Sequence, residues 1–261
     1  MKTILFIFRF ITHYFEAKNT KGYGVHSPSL YRFTQNVIYE RIPFYAFPEI
    51  EKLRARLKSD QRLLHLTDYG TGKRNTAKVS EIAKSSLKKP VWAQLLYRTI
   101  NFTKAKTVVE LGTSLGITTA YLALSDKDIR CTTFEGSAEV AAIARENFDK
   151  LDIKNIEIIV GNLDETLTNF LEQTGILDVV FFDANHRKEP VLKYFEQCVK
   201  HIQRYSVFIV DDIHWSREME DAWFEIQNHQ DVRSTIDLFE CGIVFFDKYL
   251  PKKHYKMNIL L

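Results

Sequence analysis

Val108-Val109-Glu110-Leu111-Gly112-Thr113-Ser114-Leu115-Gly116 is the stretch on which the fold turns. An apolar run of strand length gives way to a loop carrying two glycines, and residues 117–124 then have helical character. Strand, glycine loop and helix, in that order, build the ligand end of open α/β sheets, because glycine lets the backbone approach a bound molecule at the carboxyl end of a buried strand. The spacing is Gly112-x-x-x-Gly116, so the dinucleotide fingerprint G-x-G-x-x-G is not matched. Glu110 stands two residues before the first glycine and shares only the Glu-x-Gly start.

Downstream, apolar runs of strand length alternate with helical stretches, which predicts a doubly wound sheet with right-handed crossovers. The first strand is read at 107–110, the second at 130–134 with a helix over 138–150, and the third at 156–160 with a helix over 164–172. A fourth strand at 178–182 precedes a helix at about 189–201, and a fifth at 206–210 precedes a helix over 217–228. Two closing strands, 232–238 and 242–246, are separated only by Phe239-Glu240-Cys241. So short a link forbids a parallel crossover and makes them an antiparallel hairpin.

Glu135 ends the second strand about 19 positions beyond Gly116, where an acidic side chain can accept hydrogen bonds from two ribose hydroxyls. Gly161-Asn162-Leu163 closes the third strand. A glutamate before the glycine loop, an acid after the second strand, a polar residue after the third and a terminal hairpin together resemble the class I S-adenosylmethionine-dependent methyltransferases over about 89–248. The lead-in Lys89-Pro90-Val91-Trp92-Ala93-Gln94-Leu95-Leu96 is similar to the segment that helps cover the cofactor in small-molecule O-methyltransferases. The resemblance implies a Rossmann-like α/β fold, a seven-stranded mostly parallel sheet ending in an antiparallel hairpin. It also implies a donor-binding set of Glu110, Gly112, Thr113, Ser114, Gly116, Thr118, Glu135, Gly136, Asn162, Leu163 and Asp183. Within it the glycine loop would line the methionine part, Thr118 would bond the carboxylate, Glu135 and Gly136 would hold the ribose, and Asn162 would meet the adenine edge.

Three aspartates follow neighbouring strands: Asp183 after the fourth, Asp211 and Asp212 after the fifth. Carboxylate clusters suit hard cations such as Mg²⁺, Mn²⁺ or Ca²⁺ in preference to zinc. Here the chain looks like the metal-dependent, catechol-type O-methyltransferases, in which an aspartate after the fourth strand and an Asp-Asn pair after the fifth hold magnesium. The pair is Asp211-Asp212 instead, which tightens a metal or signals another use, and Asp212 could merely cap the next helix, although Ser216 is already a good N-cap. His186 lies three residues past Asp183, where that family carries its lysine base. Histidine titrates near neutrality and can take a proton from an acceptor hydroxyl, so His186 and Asp183 form the catalytic expectation, with Asp183, Asp211 and Asp212 as metal ligands. His214 and Trp215 are read as an acceptor wall or as structural residues.

The N-terminal third reads as helical. Ile4, Phe8, Ile11 and Phe15 recur at helical spacing with Thr12, His13 and Glu16 between them, which predicts an amphipathic helix packed on the protein or on a second subunit. Ser27-Pro28 supplies an N-cap and first-turn proline for a helix to about Tyr39, and 49–58 reads as another. Asp68-Tyr69-Gly70-Thr71-Gly72 imitates a glycine loop, but no apolar helix follows it, so it reads as a surface loop whose Lys73, Arg74 and Lys78 could close over an anionic acceptor. The domains expected are thus a helical accessory region at 1–88, the donor-binding domain at 89–250 and a tail at 251–261.

A chain of 261 residues, 45% hydrophobic and 26% charged, supports a sizeable core. Net charge is only +3 on 36 basic and 33 acidic residues, with no basic stripe, so no nucleic-acid partner is expected. Cys131, Cys198 and Cys241 lack C-x-x-C spacing and read as buried thiols of a reducing compartment. Arg9 interrupts the first apolar run, which is too short to span a bilayer and precedes no small-residue cleavage site. The expectation is a cytoplasmic enzyme that takes S-adenosylmethionine as cofactor and methylates an oxygen of a small-molecule acceptor, with Mg²⁺ or another divalent cation assisting and a homodimer as the assembly. The alternatives are a catalytically silent cofactor-binding scaffold whose N-terminal helices dock a partner, and methylation of an RNA or protein nitrogen. The second is weaker, because no Asn/Asp-Pro-Pro-aromatic motif follows the fourth strand.

Overall fold

The computed structural model describes residues 2–67 and 74–259. In chain order the elements are α1 (Lys2–Glu16), α2 (Pro28–Phe33), α3 (Phe47–Leu57), β1 (Leu63–Thr67), β2 (Arg74–Lys78), α4 (Val79–Ser85), α5 (Pro90–Thr103), β3 (Thr107–Leu111), α6 (Ile117–Ala123), β4 (Arg130–Glu135) and α7 (Ala138–Lys150). There follow β5 (Ile156–Val160), α8 (Leu163–Gln173), β6 (Leu177–Phe182), α9 (Lys188–Cys198), β7 (Ile202–Asp211), α10 (Arg217–Asn228), β8 (Ser234–Asp237), β9 (Cys241–Phe245) and β10 (Lys253–Lys256). The chain divides into two compact units, Arg41–Thr174 and Met1–Glu40 with Gly175–Leu261.

In the unit Arg41–Thr174, β3, β4 and β5 pair in parallel, with Thr107 opposite Arg130 and Cys131 opposite Ile156. Val108, Val109 and Leu111 are fully buried, as expected of a parallel strand covered on both faces. Gly116 begins α6 in the left-handed region at φ 77°, and a Cβ there would sit 2.6 Å from the Phe148 ring. Glycine is therefore needed both for the turn and for the close approach of α7. Ser137 caps α7 and Asn162 caps α8, each side-chain oxygen accepting a backbone N–H. The accessory region is not wholly helical: β1 and β2 form an antiparallel pair. Arg62 ties this pair to α7 through Glu146, and the His65 N–H adds a bond to Glu139. The imitation loop and Lys73, residues 68–73, lie outside the described residues.

In the other unit β6 and β7 pair in parallel, and β9 runs antiparallel to both β7 and β8. The closing hairpin expected from the short link is thus β8–β9, with Ser234 opposite Phe245. Gly242 lets the Trp223 ring of α10 lie on β9, since a Cβ would come within 2.4 Å of it. Residues expected as a tail instead form β10, parallel to β8, and the Asn258 N–H bonds Thr20 Oγ1. With β3, β4 and β5 in one unit and five strands in the other, the described pairings are mostly parallel, and there are eight such strands where seven are expected.

Helix α1 reverses part of its predicted orientation. Phe8 is 67% exposed and Phe15 77%, whereas the packed side carries Phe6 and Phe10, edge-on to Phe239, and the buried His13. The polar position His13 is the one enclosed, for a reason that lies far away in sequence.

Candidate active site

The turn after β3 is closed by the end of β4. The backbone N–H groups of Gly112 and Thr113 both donate to the Phe134 carbonyl, at 3.2 and 2.9 Å. Ser114 follows in the left-handed region at φ 49°, and its N–H donates to Glu135 Oε2 at 2.9 Å. The Ser137 N–H reaches Glu135 Oε1 at 2.9 Å, and the Gly136 N–H also bonds this carboxylate. Burial raises the Glu135 pKa, and these three amides act against that rise. Three amides on the two carboxylate oxygens leave room for a further hydroxyl donor.

Glu110 lies beneath this turn, at 0% exposure. Thr119 of α6 and Thr133 of β4 donate to its Oε2, while Oε1 has no partner among the described residues. Thr133 is 2.7 Å from Thr113 Oγ1, and because the Thr133 proton goes to Glu110, Thr113 donates. Burial pushes the Glu110 carboxyl up to about 8 against the two hydroxyl bonds. Its contacts thus run to the hydroxyls that hold the loop. Ser114 Oγ is enclosed without a partner, a buried polar atom at the position where a donor molecule would lie. Thr118 is buried in the first turn of α6, Asn162 Oδ1 accepts the Asp164 N–H as the α8 cap, and Leu163 is the first residue of α8. The donor set apart from Asp183 is therefore gathered at the carboxyl ends of β3, β4 and β5, and an orphaned Ser114 hydroxyl with an acceptor-competent Glu135 fits a ribose-bearing ligand.

The chemical residues lie in the other unit. Asp183 follows β6, and Asn185 takes a left-handed φ of 53° that turns the chain sharply before His186. The His186 ring is set between two carboxylates, Nε2 3.8 Å from Asp183 and Nδ1 3.9 Å from Asp212. Asp212 is itself left-handed at φ 53°, its N–H donating to the Glu240 carbonyl at 2.7 Å. Asp211, the last residue of β7, is buried. Asp183, His186 and Asp212 are thereby brought together. Asp183, Asp211 and Asp212 are not: among the described residues no ligand set within 4.8 Å includes them. The expected magnesium set does not fit this arrangement, because the imidazole stands between two of the carboxylates.

His214 does not form an open wall. Its Nε2 is 2.9 Å from Asp237 Oδ2 and its Nδ1 3.2 Å from Glu220 Oε1. Burial opposes protonation, yet these two acids raise the His214 pKa overall; Asp237, whose burial acts upward, is brought well below the usual range by His13 and His214. Asp237 escaped the sequence reading, since residues 13, 214 and 237 share no local spacing. A cleft of about 630 Å³ lies along β4, β5 and α8, lined by Arg130, Ile156, Ile159 and Phe170 among others, and includes no donor-set residue. Among the described residues no helix is long and apolar enough to cross a membrane.

Residues 109–213 match a family described as a methyltransferase domain. The chain is 28% identical over 113 residues to a catechol O-methyltransferase of Niastella koreensis, covering 42% of this chain and 50% of that protein. It is 28% identical over 131 residues to a catechol O-methyltransferase domain-containing protein of Mus musculus, covering 49% of each. The chain thus spans about half the length of the curated relatives it matches. Among solved structures it is similar to an SAH-bound Podospora anserina methyltransferase, with a TM-score of 0.59 at 14% identity over 82% of this chain and 92% of the other. A Bacillus cereus O-methyltransferase in complex with SAH gives 0.56 at 18%, over 82% and 96%. Over residues 109–213 the chain is thus similar to a methyltransferase domain, and its fold is that of the solved methyltransferases.

Proposed function

We propose that this protein transfers a methyl group from S-adenosylmethionine to a hydroxyl oxygen of a small molecule. The observation that carries the reading is the Glu135 carboxylate, pinned by the Ser114 and Ser137 amides beside an unpartnered Ser114 hydroxyl. Similarity to a catechol O-methyltransferase favours a phenolic acceptor. When bound, the sulfonium donor supplies an already activated methyl group, so the protein's task is to align the acceptor, exclude water and remove one proton. Gly112, Thr113, Ser114 and Gly116 would hold the methionine side, with Glu135 and Gly136 on the ribose and Asn162 and Leu163 near the base.

His186 is the proposed proton acceptor. Asp183 and Asp212, 3.8 and 3.9 Å from the ring nitrogens, lie where they face the charge the ring gains with the acceptor proton. The oxygen gains the methyl, its proton passes to the ring, and the donor leaves as a neutral thioether. No step in this reading passes through a divalent cation. Three free, buried cysteines suit the reducing cytoplasm. The test is incubation of the purified chain with methyl-labelled S-adenosylmethionine and a panel of catechols, phenols and aliphatic alcohols. Labelled methyl ether and an equal amount of S-adenosylhomocysteine are expected; donor binding with no turnover on any hydroxyl would reduce the protein to a cofactor-binding scaffold.

A further inference from the structure

His13 of α1, His214 of the loop before α10 and Asp237 at the end of β8 come from three distant parts of the sequence and meet inside one unit. One ligand atom from each lies within 4.8 Å of the other two. His13 Nε2 is 2.9 Å from Asp237 Oδ1, and His214 Nε2 is 2.9 Å from Oδ2. We propose that these three side chains form a site for a divalent transition cation of the zinc type, separate from the methyl-transfer chemistry and independent of that reading.

The first support is the state of His13. It is 3% exposed, and neither ring nitrogen has an aligned hydrogen-bond partner, Nε2 lying close to Asp237 but off the hydrogen-bond axis. A buried imidazole with both nitrogens unsatisfied is costly, and a lone pair converging with a carboxylate oxygen is what a shared cation resolves. Next comes the donor set. Two imidazoles and one carboxylate match zinc and its neighbours in the transition series better than magnesium or calcium, and leave a fourth position for water.

The surroundings are those of a built site. Glu220 Oε1 holds the far nitrogen of His214 at 3.2 Å, which directs Nε2 toward Asp237, and Arg9 Nε holds Glu220 in turn at 3.0 Å. A carboxylate behind a ligating histidine fixes the ring and its tautomer. Phe239 stacks on His214 with centroids 5.2 Å apart and planes at 14°, while Phe6 and Phe10 meet Phe239 edge-on, so the cluster is walled by apolar rings. The Phe239 N–H also donates to Asp237 Oδ1 at 2.9 Å, orienting the carboxylate. Tetrahedral zinc bonds of about 2.0–2.1 Å bring ligand atoms closer together than the 4.8 Å that bounds this cluster, so the three side chains converge on a cation by local adjustment. A cation here joins α1 to β8 and to the 212–216 loop, coupling metal binding to docking of the N-terminal helix.

The full-length chain, stripped of metal, is titrated with zinc chloride by calorimetry and with cobalt chloride by visible absorption. About one equivalent per chain is expected, with a rise in Tm and a cobalt spectrum of low coordination number. His13→Gln and His214→Gln should remove the site, Glu220→Gln should weaken it roughly tenfold to hundredfold, and Asp183→Asn should leave it unchanged. His214→Gln leaves α1 unaltered and keeps the test available whatever His13→Gln does to folding. No saturable zinc binding by folded wild-type protein, or unaltered stoichiometry in a folded His13→Gln or His214→Gln, would each overturn the proposal. Failure here leaves donor binding at Glu135 untouched, so the two readings are tested apart.

Discussion

Ser114 donates its backbone N–H to Glu135 Oε2 across 2.9 Å, joining the glycine turn after β3 to the carboxyl end of β4. The bond presets a carboxylate beside a loop whose own hydroxyl is unpartnered, and it does so before any ligand arrives. Preorganisation of this kind lowers the ordering cost of binding. Glu135→Ala removes both the loop tie and the proposed ribose acceptor. Calorimetry with S-adenosylhomocysteine should show affinity lower by about tenfold to hundredfold, on the scale of a hydrogen bond to a charged group.

Gly116 and Phe148 set a second expectation. A methyl at position 116 meets the Phe148 ring at 2.6 Å and must also hold φ near 77°. Left-handed backbone costs about 1–2 kcal/mol for a side chain, and forced overpacking typically another 1–3. Gly116→Ala should therefore lower stability by about 2–5 kcal/mol in denaturant unfolding. Gly116→Ala with Phe148→Leu should recover the packing share and not the backbone share.

Buried Glu110 gives the fold a pH dependence of definite sign. Its carboxyl titrates near 8 in the folded protein, against 4.5 as the ordinary value, so between these limits the folded state holds a proton that the unfolded state has lost. Stability contributed by this group is full below about 4.5, falls as pH rises, and levels off above about 8. Glu110→Gln keeps an acceptor for Thr119 and Thr133 and cannot ionise. Chemical denaturation across that window should show a shallower decline for the variant than for the wild type.

For His186 the expected signature is kinetic. His186→Gln should reduce kcat by about 10²- to 10⁴-fold, the usual share of a general base, with donor affinity preserved. Asp183→Asn and Asp212→Asn should reduce kcat by smaller factors, and added magnesium should leave wild-type turnover unchanged. Strict magnesium dependence in steady-state assays would restore the carboxylate metal site and displace the His186 reading.

Much of this was legible in the sequence because it is local. Val108 to Gly116 announces a buried strand and a tight turn by composition alone, and Ala138–Lys150 and Arg217–Asn228 carry caps and helical periodicity at their observed ends. The short link 239–241 forces the antiparallel β8–β9 pair. What the sequence concealed depends on tertiary placement. Strand β10 has only four residues, Lys253–Lys256, two of them lysine, and exists because β8 offers a free edge. His13 looks like a solvent-facing position of α1, since nothing near it in sequence reveals Asp237 or His214 as partners. The aspartates after β6 and β7 were found by position, but the placement of the His186 ring between Asp183 and Asp212 depends on left-handed turns at Asn185 and Asp212 that residue type alone does not dictate.

The central claim, that the turn from Gly112 to Gly116 and Glu135 form a pocket for the methyl donor, is tested most directly by calorimetric titration of S-adenosylmethionine and S-adenosylhomocysteine into the folded wild-type chain. The account predicts saturable binding of both at about one molecule per chain, weakened in Glu135→Ala and unchanged in His186→Gln. Absence of binding by folded wild-type protein, or equal affinity in wild type and Glu135→Ala, would contradict it.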